Sequence, residues 1–262
     1  MSALYPQGQS PRAVGLAGDW HGNSFHARCV IEHFATRADV IVQLGDFGFW
    51  TPGPGQDKFI SRVNRALNAA DLMLVFVDGN HEFHPGLARL PVDDDSGLRK
   101  VTNRIWHAPR GLRWEWSGVT WMALGGAHSI DRQWRTEGKD WWPEERLIDA
   151  DIETACRGGS VDVLVSHDAP VRARVPLASG SRWPAEDARA SNEHRELVQK
   201  VVDATMPGRV WHGHFHIHSA DVIELPDGRE CEVCGLDCDG SKLWQSTQLV
   251  DLHGVPVAGL AE

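Results

Sequence analysis

An apolar run turns abruptly polar in the stretch that decides the fold, residues 72–82, LMLVFVDGNHE. Leu72–Val77 is rich in branched and aromatic side chains, which is typical of a buried strand. The polar loop Asp78-Gly79-Asn80-His81 follows it, and the pattern predicts a helix after His81. A strand that ends in a polar loop and leads into a helix is the repeating unit of a largely parallel sheet. The stretch therefore predicts an α/β fold.

The same unit occurs twice upstream. Because ligands bind at the carboxyl ends of the strands in open α/β sheets, we expect the polar loops of all three units to share one crevice. The two upstream units comprise strands at Ala13–Ala17 and Val40–Leu44, helices at Phe25–Ala35 and Phe59–Ala69, and polar loops at 18–21 and 45–46.

The chain downstream mixes strands, loops and helices. Residues 129–143 are polar, aromatic and aperiodic, which indicates a surface loop that could serve as a lid or cap. No linker is visible, so we predict a flexible N-terminal arm at 1–12 and a single domain at 13–262. The remaining elements are predicted as strands at Arg104–His107, Leu112–Trp116, Val119–Leu124, Val161–Val165 and Arg209–Trp211, helices from Pro143 and over Glu193–Ala204, and β-hairpins over Ala220–Leu252.

Composition excludes several classes of protein. The 262 residues are 42% hydrophobic and 24% charged, which is typical of a globular chain. The longest purely apolar run, Leu72–Val77, is far shorter than the ~20 residues of a membrane span. A net charge of −10 repels nucleic acid and anionic membranes. We expect a soluble, cytoplasmic protein with no membrane or long duplex partner, and its oligomeric state is open.

Five cysteines, an odd number, favour free thiols in a reducing compartment over a disulfide framework. Cys231, Cys234 and Cys238 have the spacing C-x2-C-x3-C, which a metal knuckle also uses. No fourth thiol or histidine follows at zinc-finger spacing, and the stretch alternates like a strand. We therefore expect three small buried hydrophobes here.

Carboxylate, amide and imidazole side chains gather at the predicted strand ends. Any one of them alone is weak, because a single histidine is usually an ordinary core or surface residue. Five clusters, each after a predicted strand, indicate a metal site, and the mixture of donors suits Mn, Fe or Zn better than Ca²⁺, which prefers oxygen alone. The residues concerned are Asp19, His21, Asp46, Asn80, His81, His167, His214 and His216.

These clusters form an ordered set of motifs that resembles the calcineurin-like metallophosphoesterases over about residues 13–218. The resemblance implies a four-layer αββα sandwich with mixed sheets and a dinuclear metal site at the carboxyl ends of the strands. The motifs are Asp19-Trp20-His21, Gly45-Asp46-Phe47-Gly48, Gly79-Asn80-His81-Glu82, Ser166-His167-Asp168-Ala169-Pro170 and Gly213-His214-Phe215-His216.

The resemblance also implies a role for each residue. Two divalent ions, Mn²⁺ foremost with Fe or Zn as alternatives, would activate a bridging hydroxide that attacks phosphorus. His81 would be the catalytic residue, protonating the leaving oxygen or stabilising the developing charge. Asp19, His21 and His216 would hold the first metal, Asn80, His167 and His214 the second, and Asp46 would bridge the two.

One departure from the family bears on the substrate. Protein Ser/Thr phosphatases continue the second motif as G-D-x-x-D-R-G, whose arginine grips the phosphate, whereas this chain has Phe49, Trp50 and Thr51. The change favours a small phosphodiester such as a cyclic nucleotide, which carries one charge fewer than a monoester. The alternatives are a phosphomonoesterase, a protein phosphatase or a nuclease with the same metals, and a non-catalytic scaffold on the same fold.

Several further residues are candidates for substrate binding or support. His128, Arg132 and Arg135 are candidates for contacting the substrate. Three tryptophans of the 129–143 segment could either cap the sheet edge or stack on a nucleobase; they are Trp134, Trp141 and Trp142. Asp168 could orient His167, and a structural or supporting role is favoured for His212 and His218.

Overall fold

The computed structural model describes residues 10–176 and 184–257, so most of the predicted arm at 1–12 lies outside the described residues. The elements in chain order are β1 (Val14–Ala17), α1 (Ser24–Phe34), β2 (Val40–Gln43), α2 (Pro54–Ala70), β3 (Met73–Phe76), α3 (His84–Leu87), β4 (Arg99–Lys100), β5 (Ile105–His107), β6 (Arg113–Trp116), β7 (Val119–Leu124), α4 (Asp149–Arg157), β8 (Val163–Ser166), α5 (Ala185–Thr205), β9 (Arg209–His212), β10 (Ser219–Glu224), β11 (Glu230–Gly235), α6 (Leu243–Ser246) and β12 (Thr247–Val250). Short 3₁₀ turns lie at Arg132–Trp134 and Pro143–Glu145.

The strands form two mixed sheets of six strands. The first has the order β12-β1-β2-β3-β5-β4 and the second the order β10-β11-β9-β8-β7-β6. The inner strands of each sheet run parallel, and an antiparallel strand closes each edge. The carboxyl ends of the parallel strands therefore carry the motif loops of both sheets.

Three apolar layers hold the molecule together. One lies between the sheets and joins Val14 and Val75 of the first to Trp121 and Val165 of the second. A second packs α1 and α2 on the first sheet, and a third packs α4 and α5 on the second. Burial of apolar side chains on both faces of each sheet accounts for this arrangement. The predicted four-layer αββα sandwich is confirmed.

Two helices begin earlier in the chain than the apolar pattern predicts, and polar side chains are buried in their additional first turns. The helix α2 begins at Pro54 rather than Phe59, and its buried Gln56 accepts a hydrogen bond from the Trp50 amide at 2.9 Å. The helix α5 begins at Ala185 rather than Glu193, and Asp187 in its first turns lies 3.2 Å from His128 Nε2. Hydrophobic periodicity does not register turns that bury polar groups.

Two other predictions were wrong. The segment from Pro143 forms only a 3₁₀ turn, and the helix α4 begins at Asp149, after residues in extended backbone. Among the described residues of the C-terminal region, one pair of consecutive strands, β10–β11, forms a hairpin. Its last strand, β12, crosses to the other sheet and pairs antiparallel with β1, so that Val250 lies opposite Val14. This pairing covers the edge of β1 and buries Val250 in the central layer.

Candidate dinuclear metal centre

The predicted motif loops converge at one edge of the two sheets. Each begins within a few residues of a strand's carboxyl end: β1, β2 and β3 in the first sheet, and β8 and β9 in the second. They form two groups of metal-ligand type, each with donor atoms within 4.8 Å of one another. The first group comprises Asp19, His21, Asp46 and His216, and the second comprises Asp46, His167 and His214.

Asp46 lies at the centre of the site and belongs to both groups. Its Oδ2 is 3.5 Å from His21 Nε2 on one side and 3.5 Å from His167 Nε2 on the other. In the first group, His216 Nε2 lies 3.2 Å from Asp19 Oδ2. In the second, Asn80 Oδ1 lies 3.2 Å from His167 Nε2. The predicted ligands therefore come together as two sets that share one carboxylate.

The donor set fits divalent cations. Ligands with bonds of about 2.1 Å lie about 3.0–3.4 Å apart around one ion in octahedral or tetrahedral geometry. The separations of 3.2 and 3.5 Å between donor atoms are close to that range. Carboxylate oxygens, imidazole nitrogens and one amide oxygen suit Mn, Fe or Zn. Each of the two groups is thus of a kind that could hold a divalent ion.

The backbone is strained where these side chains meet. Seven described non-glycine residues have positive φ, and four of them are predicted ligands: His21, Asp46, His214 and His216, with φ from 43° to 67°. Such conformations cost about 1–3 kcal/mol each and cluster at functional sites. The loops therefore hold these groups at the expense of local backbone energy.

Two motif glycines let the backbone approach the carboxylates. A Cβ at Gly79 would stand 2.2 Å from Asp46 Oδ1, and one at Gly213 would stand 2.1 Å from Asp19 Oδ1. Both positions are therefore closed to any larger residue. Adjacent amides then contact the carboxylates: the His81 amide donates to Asp46 Oδ1 at 2.9 Å, and the His214 amide to Asp19 at 3.1 Å.

The acidic groups set the protonation of the site without metal. Burial alone would lower the pKa of His167, but Asp46 and Asp19 outweigh it and raise the pKa to about 10. Against the same effect of burial, Asp46 and Asp19 raise the pKa of His21 to about 9, and Asp19 with Cys238 raises the pKa of His216 to about 11. The pKa of Asp46 is lowered despite burial, because His81 and His167 favour its charged form. Metal binding must therefore displace protons from imidazoles.

His81 faces the centre beside Arg135. Its Nε2 lies 3.8 Å from Asp46 Oδ2 and 2.8 Å from Arg135 Nη2. The guanidinium can only donate, so His81 accepts this hydrogen bond as a neutral ring. Burial, the largest cause, and the nearby Arg135 both lower the pKa of His81. Asp131 holds Arg135 in place through two contacts of 2.7 Å.

Sequence reasoning missed two supporting carboxylates. Asp239 accepts from His21 Nδ1 at 2.7 Å and from Asn23 Nδ2 at 2.9 Å. It lies 218 residues from His21, and no local pattern signals the contact. Glu82 is fully buried and accepts the amides of Gly48 and Gly79 at 3.0 and 2.5 Å. Its position directly after His81 in the third motif was the available signal.

The other sequence candidates take different places. Arg132 stacks over Trp141, its Cζ 4.4 Å from the ring centroid. His128 is buried with Nε2 against Asp187. The expectation that Asp168 orients His167 was wrong: the Asp168 carboxylate binds His194 Nδ1 at 2.7 Å, whereas His167 Nδ1 lies 2.7 Å from the Leu44 carbonyl. His212 is buried and its Nδ1 contacts the Gly213 carbonyl, while the ring of His218 packs on Trp244.

The cysteine stretch fits the expectation only in part. Cys231 is buried in β11, and Cys234 lies opposite Trp211 of β9. Burial raises the pKa of both thiols, to about 12 and about 11. Cys238 lies beyond the strand, only half-buried, and its thiol is a hydrogen-bond partner of His216. Thus Cys231 is a core residue, Cys234 is partly buried and packs against the central layer, and Cys238 borders the site.

Three tryptophans near the motif loops are exposed. Trp50, 40% exposed, lies over Gly22, the residue after His21. Trp134, 66% exposed, precedes Arg135, and Trp244, 58% exposed, packs on His218. Trp141 and Trp142 are buried, which agrees with a cap on the sheet edge.

None of the described helices is long and apolar enough to cross a membrane.

The family follows from a comparison of the whole chain. A family model described as calcineurin-like phosphoesterase matches residues 13–218, most of the chain and all five motifs. The chain belongs to the calcineurin-like phosphoesterases. No curated protein matches it in sequence.

Two solved structures are similar to this phosphoesterase. A hypothetical protein from Thermus thermophilus has 14% identity and a TM-score of 0.44, over 88% of this chain and 78% of that chain. A conserved uncharacterized protein of Streptococcus pneumoniae, described as a predicted phosphoesterase, has 10% identity and a TM-score of 0.34, over 97% of each chain.

Proposed function

We propose that this protein is a dinuclear metal-dependent phosphodiesterase that hydrolyses small phosphodiesters, with cyclic nucleotides as the leading natural class. The observation that carries the proposal is the pair of donor groups that share Asp46. A shared carboxylate is the means by which two-metal hydrolases hold their ions about 3.5–4 Å apart. Membership in the phosphoesterase family agrees with this reaction.

The proposed ligand sets follow the donor groups. Asp19, His21 and His216 hold the first ion, Asn80, His167 and His214 the second, and Asp46 both, with Mn²⁺ as the preferred metal. When bound, two divalent ions polarise the phosphoryl oxygens and lower the pKa of a water between them. The complete set of donors argues against a scaffold, because a chain without metals would gain nothing from holding four of these residues in strained backbone conformations.

Arg135 and His81 form the proposed substrate side of the centre. The Arg135 side chain, 12% exposed, reaches His81 from the 129–143 segment, which supports a lid role for that segment. Arg135 can turn from His81 Nε2 to a phosphoryl oxygen without leaving Asp131. Freed from Arg135, His81 Nε2 can take up a proton from water and pass it to the leaving oxygen, or hold the developing charge as an imidazolium. Arg132 and His128 remain weaker candidates for substrate contact.

Two features favour a diester over a monoester. Trp50 occupies the position where protein phosphatases carry their phosphate-gripping arginine, and Phe49 precedes it, so the second motif offers rings instead of charge. The exposed rings of Trp50, Trp134 and Trp244 offer stacking surfaces for the base of a nucleotide.

The five free cysteines agree with a cytoplasmic site of action.

The proposal is tested by comparing two chromogenic substrates on the Mn²⁺-loaded protein. We expect kcat/KM for bis(nitrophenyl) phosphate to exceed that for nitrophenyl phosphate, and we expect EDTA to abolish both activities. A release assay with cyclic nucleotides then identifies the natural class. A clear preference for the monoester would favour the phosphatase alternative, and absence of hydrolysis with both metals bound would favour a scaffold.

A further inference from the structure

The amide of Asn80 is connected to a buried carboxylate by a short chain of hydrogen bonds. Asn80 Nδ2 donates to Ser129 Oγ at 3.0 Å, and Ser129 Oγ donates to Glu145 Oε2 at 2.5 Å. The Ser129 amide also donates to Glu145 Oε1 at 2.8 Å. Ser129 and Glu145 are both fully buried. Neither belongs to the motifs that identify the family.

This chain fixes which end of the Asn80 amide faces the metal ligands. The Glu145 carboxylate only accepts, so the single hydroxyl hydrogen of Ser129 must point toward it. Ser129 Oγ can then only accept from Asn80, which commits Nδ2 to the serine. The amide oxygen is thereby turned to the opposite side, where it lies 3.2 Å from His167 Nε2. A flipped amide would present hydrogens to a cation.

Glu145 is itself held firmly. It lies in the 3₁₀ turn Pro143–Glu145, and its carbonyl accepts from the Ala127 amide at 3.1 Å and from Arg110 Nη2 at 3.1 Å. Ser129 follows β7 in the second sheet, whereas Asn80 follows β3 in the first. The chain of hydrogen bonds thus ties a ligand loop of one sheet to a rigid segment of the other.

We propose that Ser129 and Glu145 are positioning residues that orient the Asn80 amide, and so set the affinity of the second metal site. The inference rests on the proposed two-metal function. Partners that orient a metal ligand from behind are typically worth about 10–100-fold in metal affinity. Substitution of either residue should weaken the second ion while the first, held by Asp19, His21 and His216, is retained.

The two substitutions should act differently. Ser129→Ala removes the link and leaves the Asn80 amide free to rotate. Glu145→Gln reverses the polarity: the new amide group donates to Ser129 Oγ, which turns the serine hydrogen toward Asn80 and favours the flipped amide. We therefore expect the larger loss from Glu145→Gln. Ser246→Ala is the matched control, because Ser246 is also fully buried and its hydroxyl donates to the Lys242 carbonyl, away from the Asn80 amide.

The experiment is Mn²⁺ titration of metal-free protein, followed by electron paramagnetic resonance. It is done at about pH 8, above the value of about 7 to which burial raises the pKa of Glu145. Wild type and Ser246→Ala should show the spectrum of a coupled Mn pair. Ser129→Ala and Glu145→Gln should show isolated Mn²⁺ at the same metal concentration and a second-site Kd raised about 10–100-fold.

A double variant separates orientation from general damage. Once Ser129 is alanine, Glu145→Gln should cause no further loss of second-site affinity, because the link is already cut. Additive losses, or coupled pairs in both single variants, would overturn the inference. Wild-type protein that binds no second ion would instead refute the proposed function itself.

Discussion

Arg135→Ala tests whether the 129–143 segment supplies the phosphate contact that the second motif lacks. The guanidinium of Arg135 contacts His81, and its Nη2 lies 2.8 Å from His81 Nε2. A hydrogen bond to a charged group contributes about 1.5–3 kcal/mol. At 1.36 kcal/mol per tenfold, its loss should reduce kcat/KM for a diester by about 10–150-fold. Asp131 offsets part of the charge, which places the expected loss nearer the lower figure.

Two companion variants make the result specific. Arg135→Lys keeps the charge but cannot hold Asp131 with two donors and also reach His81, so most of the loss should remain. Lys139→Ala removes a positive charge from an exposed position of the same segment and should leave kcat/KM unchanged. The assay is steady-state hydrolysis of bis(nitrophenyl) phosphate, with Mn content measured for each protein. Arg135→Ala within twofold of wild type, with both metals bound, would refute the reasoning.

Three further predictions concern the metals and His81, the proposed catalytic histidine. Asp46→Ala should lose metal from both sites, because Asp46 belongs to both donor groups, and normal metal content by elemental analysis would contradict this. His81→Ala should keep both metals, and its hydrolysis rate should fall about 10²–10⁴-fold on a cyclic nucleotide. The rate should fall much less on a nitrophenyl diester, whose leaving group needs no proton. Equal losses on both substrates would assign His81 a positioning role. Without metal, the pKa values of His21 and His167 are raised above the ordinary histidine pKa. Their ion pairs therefore stabilise the fold fully at pH values below that ordinary pKa, and this stabilisation is lost as the pH rises through about 9 and 10. The Tm of stripped protein should therefore fall across that window more than the Tm of loaded protein, and parallel curves would count against it.

The fold and the convergence of the candidate ligands could be predicted because both depend on local patterns. Apolar runs such as Leu72–Val77 identify the strands, and the candidate ligands follow the strands within a few residues. Their ordered appearance made the family resemblance specific. The central layer between the sheets then brings the strand ends together, which the sequence does not show but the family architecture implies.

What could not be predicted depends on contacts distant in sequence. Asp239 reaches His21 from the loop before α6, and Glu145 reaches Asn80 through Ser129 from two other segments. Neither carboxylate lies in a recognisable sequence motif, because the tertiary packing determines which residue it contacts. The Asp168 prediction failed for the same reason: a neighbour in sequence was assumed to be a neighbour in space, whereas its carboxylate turns to His194 on α5.

The most direct test of the central claim is the diester hydrolysis rate of EDTA-stripped protein as Mn²⁺ is added back in measured equivalents. If Asp46 holds two ions that act together, the stripped protein is inactive, and the rate rises until two equivalents per chain are bound and then levels off. Full activity in the stripped protein, or a rate that levels off at one equivalent, would contradict the account.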